Sequence, residues 1–425
     1  MIEFQHSFYE VNFMQMTAAE KYAERVQIIE DAVALKEPAR VPNGVRVSAF
    51  PYYEYGVTIR EAMTDYQKAV DAYIRYHREF QPDTACGFAS QASAKVFELL
   101  GVKTWRWPGN GLDDNNVMQF IEFPTLEEEE YEEFFADPVG FAYRKWLPRV
   151  YDIFEPFTKI NYYDLMTSTY RSTVDAFTSP ELLDTYARLL ELKKENDTFR
   201  HFSRICDRAL MDEGFPPIAG GGSITAFDMV ADGLRGTFGM MSDLMTQPEK
   251  IKKCCEMFID LHIKKSLDSF KMTGLKYQWV MLHKGFDKFI SDEMYAEYYW
   301  PYLRQWVERL VEEGIVPVLF CEGAYNTRLK YLAEVPKGKV ICLFEDIDIR
   351  EAKRILGGVA CIMGGFPAFT VTHGTPEKIR DQVKEYMDVL APGGGFIFSL
   401  GSALDKAPRA NVEVLFEAIE LFGKK

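Results

Sequence analysis

The sequence predicts a closed (β/α)8 barrel, and three observations carry that prediction. Short stretches such as 277–282, 339–344 and 359–363 are apolar at consecutive positions rather than at alternate ones. Strands of that kind are buried on both faces, as parallel strands between helices are. Each stretch is followed by helical periodicity, which gives five strand–helix units from residue 277 onward, and a further strand lies near residue 45. A closed barrel fits this alternation better than an open sheet.

The elements follow in order. Residues 14–35 carry helical apolar spacing through Ala18, Ala19, Tyr22, Val26, Ile29 and Val33, and Lys36-Glu37-Pro38-Ala39-Arg40-Val41-Pro42 breaks it. The chain thus divides into a helical N-terminal extension, 1–40, and a barrel with insertions, 41–425. The alternating stretch 45–50 reads as the first strand. An amphipathic helix fits 59–80, and a loop rich in Trp, Gly and Asn spans 105–116. Helices fill 136–158 and 180–211, and the acidic run Glu127-Glu128-Glu129-Glu130 is a solvated helix face. The Gly/Pro-rich stretch 214–222 is a loop. Strands at 277–282, 315–321, 339–344, 359–363 and 396–400 then alternate with helices. One helix starts at Ser291-Asp292-Glu293, and another is capped by Thr375 with Pro376 at its first position.

Composition narrows the function. The chain has 425 residues, with 49 Lys+Arg against 64 Asp+Glu and a net charge of -15. Phosphate-rich partners would be repelled, which argues against nucleic acid or an anionic membrane. No apolar run is long enough to span a bilayer, and Met1-Ile2-Glu3-Phe4-Gln5-His6 lacks a secretory pattern, so a cytoplasmic protein is expected. Seven cysteines without a C-x-x-C pair argue against a disulfide framework. The triple glycines at 220–222 and 393–395 lack the context of a nucleotide loop. The 32 Phe, 23 Tyr and 6 Trp fit an aromatic core or an aromatic-lined cavity.

In such a barrel the chemistry sits at the C-terminal strand ends. Those ends deliver His283, then Cys321 and Glu322, then Glu345, Asp346 and Asp348. Two carboxylates and an imidazole suit zinc, with His283, Glu322 and Glu345 as ligands; Cys321 and His373 are other candidates for the third place. Alternatively, His283 and Glu322 act as general acid and base. The structural alternative pairs Glu345 with Arg328 or Lys353, and Asp346 and Asp348 have helix capping as their simplest role.

Several stretches resemble the uroporphyrinogen decarboxylase superfamily. They are Leu282-His283-Lys284-Gly285, Leu319-Phe320-Cys321-Glu322-Gly323, Gly364-Gly365-Phe366-Pro367, Gly374-Thr375-Pro376-Glu377 and Gly393-Gly394-Gly395-Phe396-Ile397. The similarity is to its corrinoid-linked methyltransferase branch and runs from about residue 38 to the end. It implies a (β/α)8 (TIM) barrel. Two departures matter. The arginine-rich motif that grips porphyrinogen carboxylates is replaced by Pro51-Tyr52-Tyr53-Glu54-Tyr55-Gly56. The zinc-binding His-x-Cys pair of the methanol and methylamine enzymes is replaced by Phe320 and Glu322, and the later Cys region by Gly401-Ser402.

The resemblance therefore implies a zinc-dependent methyltransferase. It would move a methyl group from a small methoxylated, aromatic compound to the Co(I) corrinoid of a partner protein. The chain has no D-x-H-x-x-G motif, so the corrinoid would reside on that partner. Oxygen ligands make a harder zinc, suited to polarising an ether oxygen. Tyr52, Tyr53, Tyr55, Trp105, Trp107, Phe366 and Phe369 are the candidates to line a pocket for the ring. Two alternatives stand beside this: a decarboxylase or lyase using His283 and Glu322, and a non-catalytic docking subunit for the corrinoid protein. The oligomeric state, monomer or homodimer, is left open by the sequence.

Overall fold

The computed structural model describes residues 16–88, 92–218 and 221–424. Its described strands fall into two sheets. β1 (Trp105–Pro108), β2 (Gly111–Leu112) and β3 (Gln119–Phe120) form a small outlying one. The other is a six-stranded sheet in chain order: β4 (Gly222–Ile224), β5 (Tyr277–Leu282), β6 (Val316–Ala324), β7 (Ile341–Asp346), β8 (Cys361–Gly364) and β9 (Phe396–Ile397). All of its pairings are parallel, with Tyr277 opposite Val316 and Ile341 opposite Cys361.

Two irregular segments join the edges of that sheet into a ring. Phe398 N–H donates to Pro42 O at 2.9 Å, and Gly44 N–H donates to Phe398 O at 2.8 Å. Asp83 N–H donates to Asn43 O at 2.8 Å, and Ala85 N–H to Pro216 O at 2.9 Å. The segments at 42–47, 83–85 and 216–224 thus precede β5 as the first three staves of the (β/α)8 barrel.

Alternation along the strands separates two packed regions. Tyr277, Trp279, Val318, Ile341, Leu343, Cys361, Met363 and Ile397 form one buried cluster inside the ring. Val280, Leu282, Leu319, Cys321, Cys342, Phe344 and Ile362 face the other way, into the larger core beneath the helices. The helix Ala18–Val33 starts with a Thr17/Glu20 capping box and contributes Ile28, Ile29, Ala32 and Val33 to the inner cluster. It covers the N-terminal end of the barrel. The open end is therefore the one at which β5, β6 and β7 finish.

The predicted first strand ends earlier than expected. Its pairing involves Asn43 and Val47, while Phe50–Glu54 is a short helix with Pro51 in its first turn. The expected helix 59–80 is two pieces, Ile59–Ala62 and Tyr66–Phe80, each with its own cap. Ser291 and Thr375 cap the helices that follow them, through Met294 N–H and Lys378 N–H. Asp348 likewise caps Ile349–Leu356. Part of the predicted N-terminal helix and Gly220 lie outside the described residues. Among the described residues no helix is long and apolar enough to cross a membrane.

Buried histidines make the fold sensitive to acid. His77 is fully buried, its Nδ1 donating to Tyr73 O at 2.7 Å and its Nε2 accepting from Cys86 N–H at 2.9 Å. Burial pushes its pKa down to about 4, and does the same for His262. The unfolded chain then binds a proton, below about pH 6.5, that the folded one refuses. What these two histidines contribute to stability is therefore full above that pH and is lost as the pH drops toward 4. The expected loss at pH 5 is about 2 kcal/mol per histidine. Urea unfolding of the unmodified chain and of His262→Gln at pH 7 and pH 5 checks this: the variant is expected to lose less on acidification, and an equal loss in both would contradict it.

Candidate functional site

The site is built where β5 ends. Asp228 lies in the first turn of the helix Ala226–Val230, which Thr225 caps. Its carboxylate is fully buried and accepts four hydrogen bonds. The donors are His283 N–H at 3.1 Å, Lys284 N–H at 2.9 Å, the Tyr299 hydroxyl at 2.8 Å and the Thr225 hydroxyl at 2.9 Å. Burial pushes the Asp228 pKa up to about 6, and these donors and the His283 charge work against that rise. At neutral pH Asp228 is an ionised staple that fixes the turn carrying His283 and Lys284.

One helical turn on, Asp232 reaches the imidazole. His283 Nδ1 lies 2.5 Å from Asp232 Oδ2, and His283 Nε2 lies 3.7 Å from Glu322 Oε2 on the neighbouring strand. Burial disfavours the imidazolium, but the Asp232 hydrogen bond and the charges of Glu322 and Asp228 prevail and raise the His283 pKa to about 9. Glu322 is pushed upward by burial and by Glu345, against the pull of His283. Lys284 Nζ completes the rim, 3.5 Å from Asp232 and hydrogen-bonded to the Thr237 hydroxyl at 2.9 Å.

Glu345 plays a part the sequence did not suggest. β6 slips its register between Cys321 and Ala324, and Gly323 at that irregularity has φ of +79°, a region open chiefly to glycine. The distortion turns Gly323 N–H onto Glu345 Oε2 at 2.6 Å. Arg328 and Lys353 are engaged elsewhere: Arg328 by Gly285 O, Ile290 O and Asp292, and Lys353 by Leu390 O and Gly394 O.

Zinc was expected on His283, Glu322 and Glu345. His283 Nε2 and Glu322 stand at a spacing that one ion at about 2.0–2.2 Å can bridge. Glu345 is held by the backbone, Cys321 is buried on the outward face of β6, and exposed His373 packs at a tilt against Phe369 with ring centroids 4.7 Å apart. Among the described residues no three His, Cys, Asp or Glu side chains converge as a metal site. Two of three donors fit, so no reaction step is assigned below to a metal.

The predicted aromatic residues are engaged with other partners. Tyr52 is buried against Tyr73 at 5.4 Å, Tyr53 donates to Asn115 O at 2.5 Å, and Tyr55 donates to Glu79 at 3.1 Å. Trp105 packs on Phe120 and Trp107 on Phe97, each at 5.2 Å. Phe366, just after Gly364 and Gly365 with their positive φ, is buried between Tyr386 and Phe398. Asp228, Asp232 and Lys284 were not foreseen as site residues. The one available signal was the pair of aspartates four residues apart behind a potential cap, Thr225.

Comparison with known proteins places this site in a family. A family model for uroporphyrinogen decarboxylase matches residues 179–422, more than half of the chain. A uroporphyrinogen decarboxylase of Neisseria meningitidis is 27% identical over 140 residues, 32% of this chain and 39% of that protein. That of Pseudoalteromonas translucida is 28% identical over 153 residues, 35% of this chain and 42% of that one. The chain thus spans about two fifths of the length of these curated relatives. A methyltransferase from Methanosarcina mazei shares the fold with a TM-score of 0.58 at 14% identity, over 96% of this chain and 99% of that one. On the strength of the match that takes in His283, Glu322 and Glu345, the chain belongs to the uroporphyrinogen decarboxylase family.

Proposed function

We propose that this protein is a methyltransferase that takes a methyl group from a methoxylated aromatic compound and delivers it to the Co(I) corrinoid of a partner protein. The observation that carries the reading is the His283 imidazole, held by Asp232 on one side and facing Glu322 on the other at the open barrel end. An ether methyl is a poor electrophile because an alkoxide or phenoxide leaves badly. A proton donor aimed at the ether oxygen removes that obstacle. The C–O bond breaks with both electrons left on oxygen, Nε2 gives that oxygen its proton, and the methyl passes to the electron pair of the acceptor. Asp232 fixes the tautomer and holds the imidazole in place while the proton moves. Zinc, if held between His283 and Glu322, would supply Lewis acidity at the same ether oxygen.

The test incubates the protein with reduced corrinoid protein and a panel of methoxybenzoates and guaiacol. A change in corrinoid absorbance with at least one donor is expected, and none across the panel would refute the reading. Elemental analysis of the purified protein decides the metal. About one zinc per chain is expected if zinc takes part, and its absence leaves protonation by His283 alone. Family membership favours a second reading, a decarboxylase or lyase with His283 and Glu322 as acid and base. Release of carbon dioxide from aromatic acids without any corrinoid protein would select it.

A further inference from the structure

Asp232 stands on a turn whose carbonyls are held from outside. The helix Ala226–Val230 runs on into a wider π-turn, Ala231–Arg235, and Gly236 with φ of +70° redirects the chain into the next helix, Gly236–Thr246. Turns of this kind are frequent at functional positions. The last carbonyls of a helical stretch lack partners within it. Here two of them are taken by another part of the chain. Gly233 O accepts from the Thr125 hydroxyl at 2.6 Å and from the Trp146 indole N–H at 3.0 Å. Leu234 O accepts from the backbone N–H groups of Thr125 at 2.7 Å and Leu126 at 2.9 Å.

Thr125 is fixed in its turn. Its carbonyl accepts from Arg149 at 2.7 Å, and Arg149 pairs with Glu130 at 2.6 Å. Among the described residues, the Asp232 carboxylate meets His283 at 2.5 Å and Lys284 at 3.5 Å. Neither contact fixes the backbone from which that carboxylate projects. A group that must meet one imidazole nitrogen tolerates a displacement of only about 0.5 Å. The residue after Asp232 is Gly233, so the two side-chain bonds on Gly233 O set where Asp232 stands.

We propose that Thr125 and Trp146 are positioning residues for the Asp232–His283 pair, acting through the π-turn at Gly233. The consequence for methyl transfer rests on the methyltransferase reading; the hold on the Asp232–His283 bond does not. Proton NMR of the full chain carrying isotope-labelled histidine tests it. A short imidazole–carboxylate bond gives a far-downfield N–H signal, and Asp232→Asn identifies it by abolishing it. Thr125→Val combined with Trp146→Phe removes both side-chain donors at little change of shape. In that double variant the signal is expected to move upfield or vanish while those of the other histidines stay. Turnover is expected to fall about tenfold with KM nearly unchanged. In an Asp232→Asn background the same two substitutions should cost less than about twofold, because the group they act through is already gone. An unmoved signal in the double variant, no such signal in the unmodified chain, a loss expressed in KM instead, or an equal turnover loss in both backgrounds overturns the proposal. If the double variant does not fold, as judged by its thermal transition, Trp146→Phe alone is read in the same way. A moved signal without methyl transfer from any donor would sink the methyltransferase reading alone.

Discussion

His283→Gln is expected to lower methyl-transfer turnover by about two to four orders of magnitude, the range associated with a positioned proton donor. Glutamine retains polarity and approximate length but has no titratable proton to hand to a leaving oxygen. Glu322→Gln is expected to act in the same direction, because it removes the charge facing Nε2 at 3.7 Å. Asp232→Asn disturbs the tautomer and orientation of the imidazole while leaving the ring in place, so a smaller fall is expected. Donors with better leaving groups, such as nitro-substituted methoxyarenes, should lose less in His283→Gln than poor ones. That graded response identifies a proton donor. A uniform loss, or turnover within a few-fold of the unmodified protein, would remove His283 from the chemistry. Thermal transitions of the variants show whether any loss is merely one of folding.

Asp228→Ala is expected to destabilise the chain by about 3–5 kcal/mol. The substitution strands two backbone N–H groups and two hydroxyls around a fully buried position. Each unsatisfied buried donor costs about 1–3 kcal/mol, and local rearrangement recovers part of the total. Asp228→Asn keeps one acceptor oxygen and is expected to lose less. Both variants release the turn at His283 and Lys284, so activity should fall in the order Asn, then Ala. Urea unfolding measures the first effect. A loss below about 1 kcal/mol in Asp228→Ala would show that the turn holds itself.

Much of the barrel was legible from local pattern. The run at 277–282 is apolar over consecutive residues, and it forms β5 with those bounds. The caps at Thr375 and Asp348 were visible because capping is a contact between near neighbours in sequence. The third stave was read as a loop, because Gly222–Ile224 is a three-residue strand preceded by glycine and proline. Missing it concealed Asp228 and Asp232, which reach the site only because that stave lies beside β5. The predicted role of Glu345 rested on its place at the C-terminal end of a strand. That place could not reveal the register slip in β6 that presents Gly323 N–H to its carboxylate.

The aromatic content divides in the same way. Sequence could place Tyr52 and Phe366 near strand ends, but burial is a property of what packs on a ring from distant parts of the chain. Trp279 and Phe320 read as core apolar residues, and they became the bed of Arg46 once the ring closed around them.

What the sequence determined by itself is the repeat of strand and helix, the ends at which those helices begin, and the presence of His283 and Glu322 at strand termini. Those features depend on residues a few positions apart. What the tertiary structure decided is the company these residues keep: Asp228 and Asp232 around His283, and the backbone on Glu345. Barrel closure brings together groups separated by tens to hundreds of residues, and no local spacing records which of them will meet.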